Sequence, residues 1–240
     1  MENNFKRDLE QEIITRNFIY NNFIKKYLCL NFDLEVSNID NIEEQLNGSD
    51  FILNFKNNNT YYMDLKAQTN KYIENPTPTF CLELSWLKNK EYKYGWFLRE
   101  DLKTNKYIFM WIHKANYVDT PKNRLLTNEN DIKKAEIMII DTQKIHKYLD
   151  DLLLNNNYLD KVQDYMRKNN IYKIYYDIDT RKLVSNKIKN SLTFTLSYKL
   201  PEQPINLVIN KKVWEQLASA HYFLENNEIR ILKENNKRKE

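Results

Sequence analysis

Residues 47–68, NGSDFILNFKNNNTYYMDLKAQ, constrain the fold more than any other stretch of the chain. On either side of the polar run KNNNT, hydrophobic and polar residues alternate. Side chains of a strand point to opposite faces in turn, so this pattern predicts strand, tight turn, strand. On the second strand Tyr62, Asp64, Lys66 and Gln68 share one face, and Tyr61, Met63, Leu65 and Ala67 share the other, the core side. Asp50 opens the first strand. Two carboxylates with an ammonium and an amide beside them make a site for a hard cation and a phosphate. The same residues also have an ordinary reading. Asp64 and Lys66 form the kind of salt bridge a solvated sheet face carries, worth little, and Asp50 follows a turn sequence.

Scarcity elsewhere narrows the chemistry. The 240 residues contain two glycines, Gly48 and Gly95, so neither a GxGxxG turn nor a P-loop can be built. His113, His146 and His221 are isolated, with no HExxH and no His/Cys cluster of zinc-site spacing. There is no GxSxG elbow. Two distant cysteines, Cys29 and Cys81, give no disulfide framework and point to a reducing compartment. The charged start MENNFKRDLEQE has no apolar signal region, and no apolar run reaches the ~20 residues of a membrane span. A soluble, cytoplasmic protein with no membrane association is expected. The net charge of +4 admits nucleic acid as a partner without requiring it.

Along the chain, residues 4–30 read as a long amphipathic helix with a stripe of Phe5, Leu9, Ile13, Tyr20, Phe23, Ile24 and Tyr27. Glu12 lies at the edge of that stripe and Glu10 off the opposite edge. From such a margin an acid reaches a cleft, or is simply a solvated flank charge. Residues 32–36 read as a strand and residues 42–46 as a helical turn. Residues 69–79, with Pro76 and Pro78, form a loop overhanging the acidic strand. Residues 80–87 read as a strand, and residues 94–99 and 107–113 as paired strands across a polar turn. Residues 135–140 read as a buried strand. Helices follow from Asp141 or Thr142 to about Leu154 and over residues 159–168. After residue 171 come strands over 172–176, 191–199 and 205–209, a helix over 211–223, and a frayed charged tail. The division expected is a core domain over residues 1–155 and a C-terminal α+β extension over residues 156–240, packed as one compact body.

An acid on the first helix, Asp50 at a strand start and Asp64–Leu65–Lys66 on the next strand resemble the PD-(D/E)xK nuclease superfamily, which includes restriction endonucleases and Holliday-junction resolvases. The resemblance covers residues 12–68 and the strand order that follows. Ser49 stands where the motif proline often is, and the second acid is Asp rather than the commoner Glu. The resemblance implies an α/β fold with a restriction-endonuclease-like core, a mixed central sheet flanked by helices. It implies Mg²⁺, with Mn²⁺ able to substitute, held by Asp50, Asp64 and the carbonyl of Leu65. Lys66 becomes catalytic, with Gln68 and Glu12 in support, and the activity becomes hydrolysis of phosphodiester bonds in DNA by metal-activated water. A two-fold homodimer is the arrangement that would cut both strands. Lys71, Lys88, Lys90 and Lys93, interleaved with Tyr72, Trp86, Tyr92 and Trp96, are candidate DNA contacts, though an ordinary charged hairpin has the same composition. The alternative is a catalytically weak or inactive module of the same fold, binding DNA or a protein partner in a defence or mobile-element system.

Overall fold

The computed structural model describes residues 2–38, 48–69, 73, 75–114, 125–226 and 228–234. Helix α1 (Glu2–Ile19) runs on through a π-helical stretch (Tyr20–Leu28) and a short α turn (Cys29–Asn31). Strands β1 (Leu34–Asn38), β2 (Phe51–Phe55), β3 (Thr60–Gln68), β4 (Thr79–Lys88) and β5 (Glu91–Tyr94) follow, then a 3₁₀ turn (Trp96–Leu98). Next come β6 (Lys106–Lys114), a second 3₁₀ turn (Glu129–Asp131), β7 (Ile132–Asp141), α2 (Thr142–Asp151) and α3 (Asn156–Lys168). The chain continues with β8 (Lys173–Asp177), β9 (Lys182–Val184), β10 (Ser191–Leu196), β11 (Ile205–Asn210), α4 (Lys211–Leu217), β12 (Ala220–Glu225) and β13 (Glu228–Glu234). The fold is mixed α/β. No helix among the described residues is long and apolar enough to cross a membrane. The chain sorts into two compact units. The first joins Met1–Thr77, Lys103–Thr142 and Leu217–Glu240, and the second joins Pro78–Leu102 and Gln143–Gln216.

The first unit is built on a seven-stranded sheet of order β1-β2-β3-β6-β7-β12-β13. Its one parallel pair is β3 with β6, in register from Met63↔Lys106 to Gln68↔Trp111. The other neighbours are antiparallel. Asn105 fixes the parallel register just before β6: its Oδ1 accepts from the Tyr62 amide at 2.9 Å and its Nδ2 donates to the Thr60 carbonyl at 3.0 Å. β6 is buried from Lys106 to Ile112, as a central strand covered on both faces should be.

Phe18, Ile19, Phe23, Ile24, Tyr27 and Leu28 pack with Met63, Ile108, Met110, Ile112, Ile137, Ile139, Tyr222 and Leu224 in one core. Fully burying each such side chain is worth about 1.5–3 kcal/mol. The core-side assignment on β3 holds: Met63 is buried in this cluster, with Tyr61, Leu65 and Ala67 packed against it. The helix stripe holds only in part. Leu9 and Ile13 are 46% and 42% exposed, while Gln11, Thr15, Phe18 and Ile19 are buried. The π-helical stretch, with its i→i+5 bonding, turns the buried face relative to a 3.6-residue repeat. In the α-helical half that face is partly polar. Gln11 is anchored by a two-way bond to the Leu126 main chain, at 2.9 and 2.8 Å. The side chain of Phe5 lies outside the described residues.

The second unit holds a six-stranded antiparallel sheet of order β5-β4-β11-β10-β8-β9 with α2, α3 and α4. Asn155 caps α3 by accepting from the Tyr158 amide at 3.0 Å. Two expectations fail here. Residues 94–99 do not pair with residues 107–113: β5 pairs with β4 and ends at Tyr94, residues 96–98 form the 3₁₀ turn, and β6 belongs to the other sheet. The helix expected over residues 211–223 stops at Leu217, because residues 220–225 form β12 between β7 and β13. Tertiary pairing overrides the helical spacing of Trp214, Leu217 and Tyr222.

Gly95 shows why the β5 end turns away. Its amide donates to the Leu84 carbonyl at 2.8 Å, and a Cβ there would lie 2.2 Å from the Glu83 carbonyl oxygen. Gly95→Ala is therefore expected to destabilise the protein by about 1–3 kcal/mol, the range for overpacking. Each kcal/mol corresponds to about 2–4 °C in Tm at this size. A thermal melt matching the parent would contradict the close approach.

Candidate active site

The β2–β3 pairing places Asp50 beside the middle of β3. Phe51 lies opposite Met63, and the Asp50 amide donates to the Met63 carbonyl at 2.7 Å. Its side chain then turns onto the neighbouring strand, where Oδ2 accepts from the Leu65 amide at 2.7 Å. A main-chain and a side-chain bond thus fix one carboxylate at the strand start. The Asp50 charge acts on the Asp64 carboxyl and raises its pKa. Lys66, two residues along on the same face, reaches both Asp64 oxygens, at 2.8 and 3.0 Å.

Asp64 is 7% exposed. Burial pushes its carboxyl up, Lys66 opposes that, and the Asp50 charge adds to it, leaving the group at about 7. Lys66 keeps 38% side-chain exposure. Desolvation works against its charge, but the Asp64 charge and hydrogen bond, with Asp50 behind them, outweigh it and hold the ammonium above the usual lysine value.

Glu12 stands on α1, directly after the anchored Gln11. Although Glu12 is exposed, the protein packed around it desolvates its charge and raises its pKa; Lys66 lowers it and Asp50 raises it. Glu12 is thus within electrostatic reach of both. Among the described residues no group of three or more His, Cys, Asp or Glu side chains is placed to hold a metal ion, so Glu12 does not stand with the two aspartates as a ready-made third ligand.

Gln68 is turned to a different task. Its Nε2 donates to the Thr77 carbonyl and hydroxyl at 3.2 and 3.0 Å, and its Oε1 accepts from the Thr77 amide at 2.9 Å. The Trp111 indole donates to the same carbonyl at 3.0 Å. Gln68 therefore ties Thr77 to the end of β3. Gln68→Ala is expected to cost about 1–3 kcal/mol, from unsatisfied groups in a buried setting, and to speed hydrogen exchange at the Thr77 amide. Unchanged exchange there would contradict the tie.

Tyr107 belongs to the site and the sequence reading missed it. It lies opposite Asp64 in the β3–β6 register and is 4% exposed. Burial and then the Asp64 charge raise its pKa, while Lys66 lowers it. Nothing in residues 107–113 marks it until β6 is paired with β3. Ser49, one residue before Asp50, is buried, and its Oγ has no hydrogen-bond partner among the described residues. Lys71 lies outside the described residues. Lys88, Lys90 and Lys93 belong to the β4–β5 hairpin of the second unit; Lys93 is paired with Glu91 at 2.6 Å. A cavity of about 270 Å³ in the first unit is lined by Phe18, Ile132, Leu224 and Ile229 and by none of the acidic site residues. No protein-family model, curated protein or solved structure matches this chain.

Proposed function

We propose that the chain is a metal-dependent deoxyribonuclease of the PD-(D/E)xK kind, hydrolysing phosphodiester bonds with Mg²⁺ or Mn²⁺. One observation carries the reading: the buried Asp64 carboxyl has the Lys66 ammonium 2.8 Å away, and the Asp50 carboxyl, held by the Leu65 amide at 2.7 Å, stands close enough for its charge to raise the Asp64 pKa. Two carboxylates set this close repel each other, and a divalent ion suits the pair because it neutralises both. With the Leu65 main-chain oxygen they match Mg²⁺, which takes oxygen ligands and keeps several waters. The buried, unpartnered Ser49 hydroxyl next to Asp50 offers further polar capacity. The antiparallel β1–β2–β3 run, continued by parallel β6 and packed with α1, supports a restriction-endonuclease-like core.

When bound, the metal would lower the pKa of a coordinated water and polarise the phosphoryl oxygen. The chain's own residues do the rest. Asp50 is pre-set by the Leu65 amide, so it needs no reorganisation. Lys66, charged across the neutral range, stabilises negative charge developing on the phosphate and orients the water. Glu12 adds negative potential from the helix side, and Gln68 holds Thr77 beside the strand end.

Purified protein incubated with plasmid, linear and branched DNA is expected to cut with Mg²⁺ and not with EDTA. Absence of cleavage on every substrate, with either Mg²⁺ or Mn²⁺, would count against the assignment. A second reading is favoured by one detail: Lys66 engages both Asp64 oxygens, which a metal would need. On that reading the unit is a non-cutting module that binds DNA or a protein partner, and calorimetry would find no divalent binding.

A further inference from the structure

Three aromatic side chains alternate along β6, so Tyr107, Phe109 and Trp111 share one face of it. The parallel register sets them opposite Asp64, Lys66 and Gln68 in turn. All three are buried. Phe109 has no polar atom to satisfy, and the Trp111 indole donates to the Thr77 carbonyl at 3.0 Å. Tyr107 is the exception. Its hydroxyl makes no hydrogen bond among the described residues, although a buried tyrosine ordinarily finds a partner. Phenylalanine would fill the same space without that cost. The ring itself is held in place, 5.7 Å from the Phe109 ring with 20° between the planes.

This unpaired donor stands where the proposed chemistry takes place. Adjacent strands lie about 4.8 Å apart, so Tyr107 neighbours Asp64 across the sheet, as Lys66 neighbours it along the strand. The charges of Asp64 and Lys66 both act on the phenol, which puts it within electrostatic reach of each. A phenol ionises at about 10, so at neutral pH the hydroxyl is a donor. The Asp64 oxygens are both engaged by Lys66. What the hydroxyl fits is an acceptor brought from outside. A phosphodiester presents two non-bridging oxygens, and the acid pair addresses one of them through the cation proposed there. The other needs donors from the protein.

We propose that Tyr107 is a catalytic residue of this site, its hydroxyl donating to the second non-bridging oxygen of the scissile phosphate. The assignment rests on the cleavage reading and deepens it: β6 supplies a neutral donor beside the cationic one on β3. Negative charge on these oxygens is what a fixed donor stabilises in phosphoryl transfer.

Tyr107→Phe tests it. In EDTA the variant is expected to melt at or above the parent, because the lost hydroxyl had no bond within the fold. A lower melting temperature would mean that the hydroxyl is bonded structurally, and overturns the proposal. With Mg²⁺ and DNA, kcat is expected to fall by about a hundredfold, the lower end for one such donor, with KM near that of the parent. Cleavage at the parental rate overturns the proposal and leaves the cleavage reading standing. A parent that cuts no DNA overturns both. Oligonucleotides with sulfur at one non-bridging position, in each diastereomer, read the contact itself. Sulfur accepts hydrogen bonds weakly, so one diastereomer is expected to slow the parent more than it slows the variant. Equal sulfur effects in parent and variant for both diastereomers would place the hydroxyl away from the phosphate and overturn the proposal.

Discussion

Asp64→Asn is expected to reduce Mg²⁺-dependent DNA cleavage by about a thousandfold or more, while leaving the metal-free protein at least as stable as the parent above neutral pH. The first effect follows from removing one of the two carboxylates proposed to hold the metal. The ion's charge stabilisation is worth several kcal/mol, and each ~1.4 kcal/mol is tenfold in rate. The second follows from the Asp64 pKa, which rises from 3.8 unfolded to about 7 folded. Between those values the folded state holds a proton that the unfolded state has released, so stability falls as pH rises from about 4 to about 7 and stays low above. Asparagine carries no charge to bury and escapes that penalty. Denaturant unfolding in EDTA should show a parent that weakens across this window and a variant that does not. A variant that loses stability and activity together at every pH would point to a structural salt bridge instead.

Lys66→Met is expected to cost cleavage about a hundredfold to a thousandfold, the size seen when one positioned donor is removed from a transition state. It carries a second signature that a surface ion pair would lack. Lys66 is what opposes the burial of Asp64, so without it the Asp64 carboxyl titrates still higher. Metal binding must displace that proton. The pH at which Mg²⁺ begins to raise the melting temperature should therefore move upward in the variant. The parent should already respond from near neutrality, and a saturating ion at about a hundred times its Kd adds about 2.7 kcal/mol. Identical pH profiles for parent and variant would separate Lys66 from the acid pair.

Much of the site was legible because it rests on a short period. Alternation on residues 60–68 put Asp64 and Lys66 on one face and Met63 on the core, as found. Asp50 was legible as a strand opener, and its hydrogen bond to Leu65 follows from a two-strand register set by the KNNNT turn. Tyr107 was not, because its place depends on a parallel pairing between strands 43 positions apart in register (Asp64↔Tyr107). Gln68 shares the face of Asp64 and Lys66, but its bonds to Thr77 were not legible, since a sequence cannot show that the Thr77 main chain folds back onto it. The helix stripe misled at Leu9 and Ile13 because a π-helical stretch and a buried glutamine break the hydrophobic repeat. β12 was hidden for a related reason. Residues 220–225 become strand only by pairing with β7 and β13.

The central claim is that Asp50 and Asp64 hold one divalent ion, and anomalous diffraction from crystals soaked in Mn²⁺ tests it most directly. A single peak is expected within about 2.1–2.3 Å of one oxygen from each carboxylate and of the Leu65 carbonyl, a typical ligand distance for a hard cation of this size. A peak elsewhere, or none between Asp50 and Asp64 at saturating Mn²⁺, would contradict it.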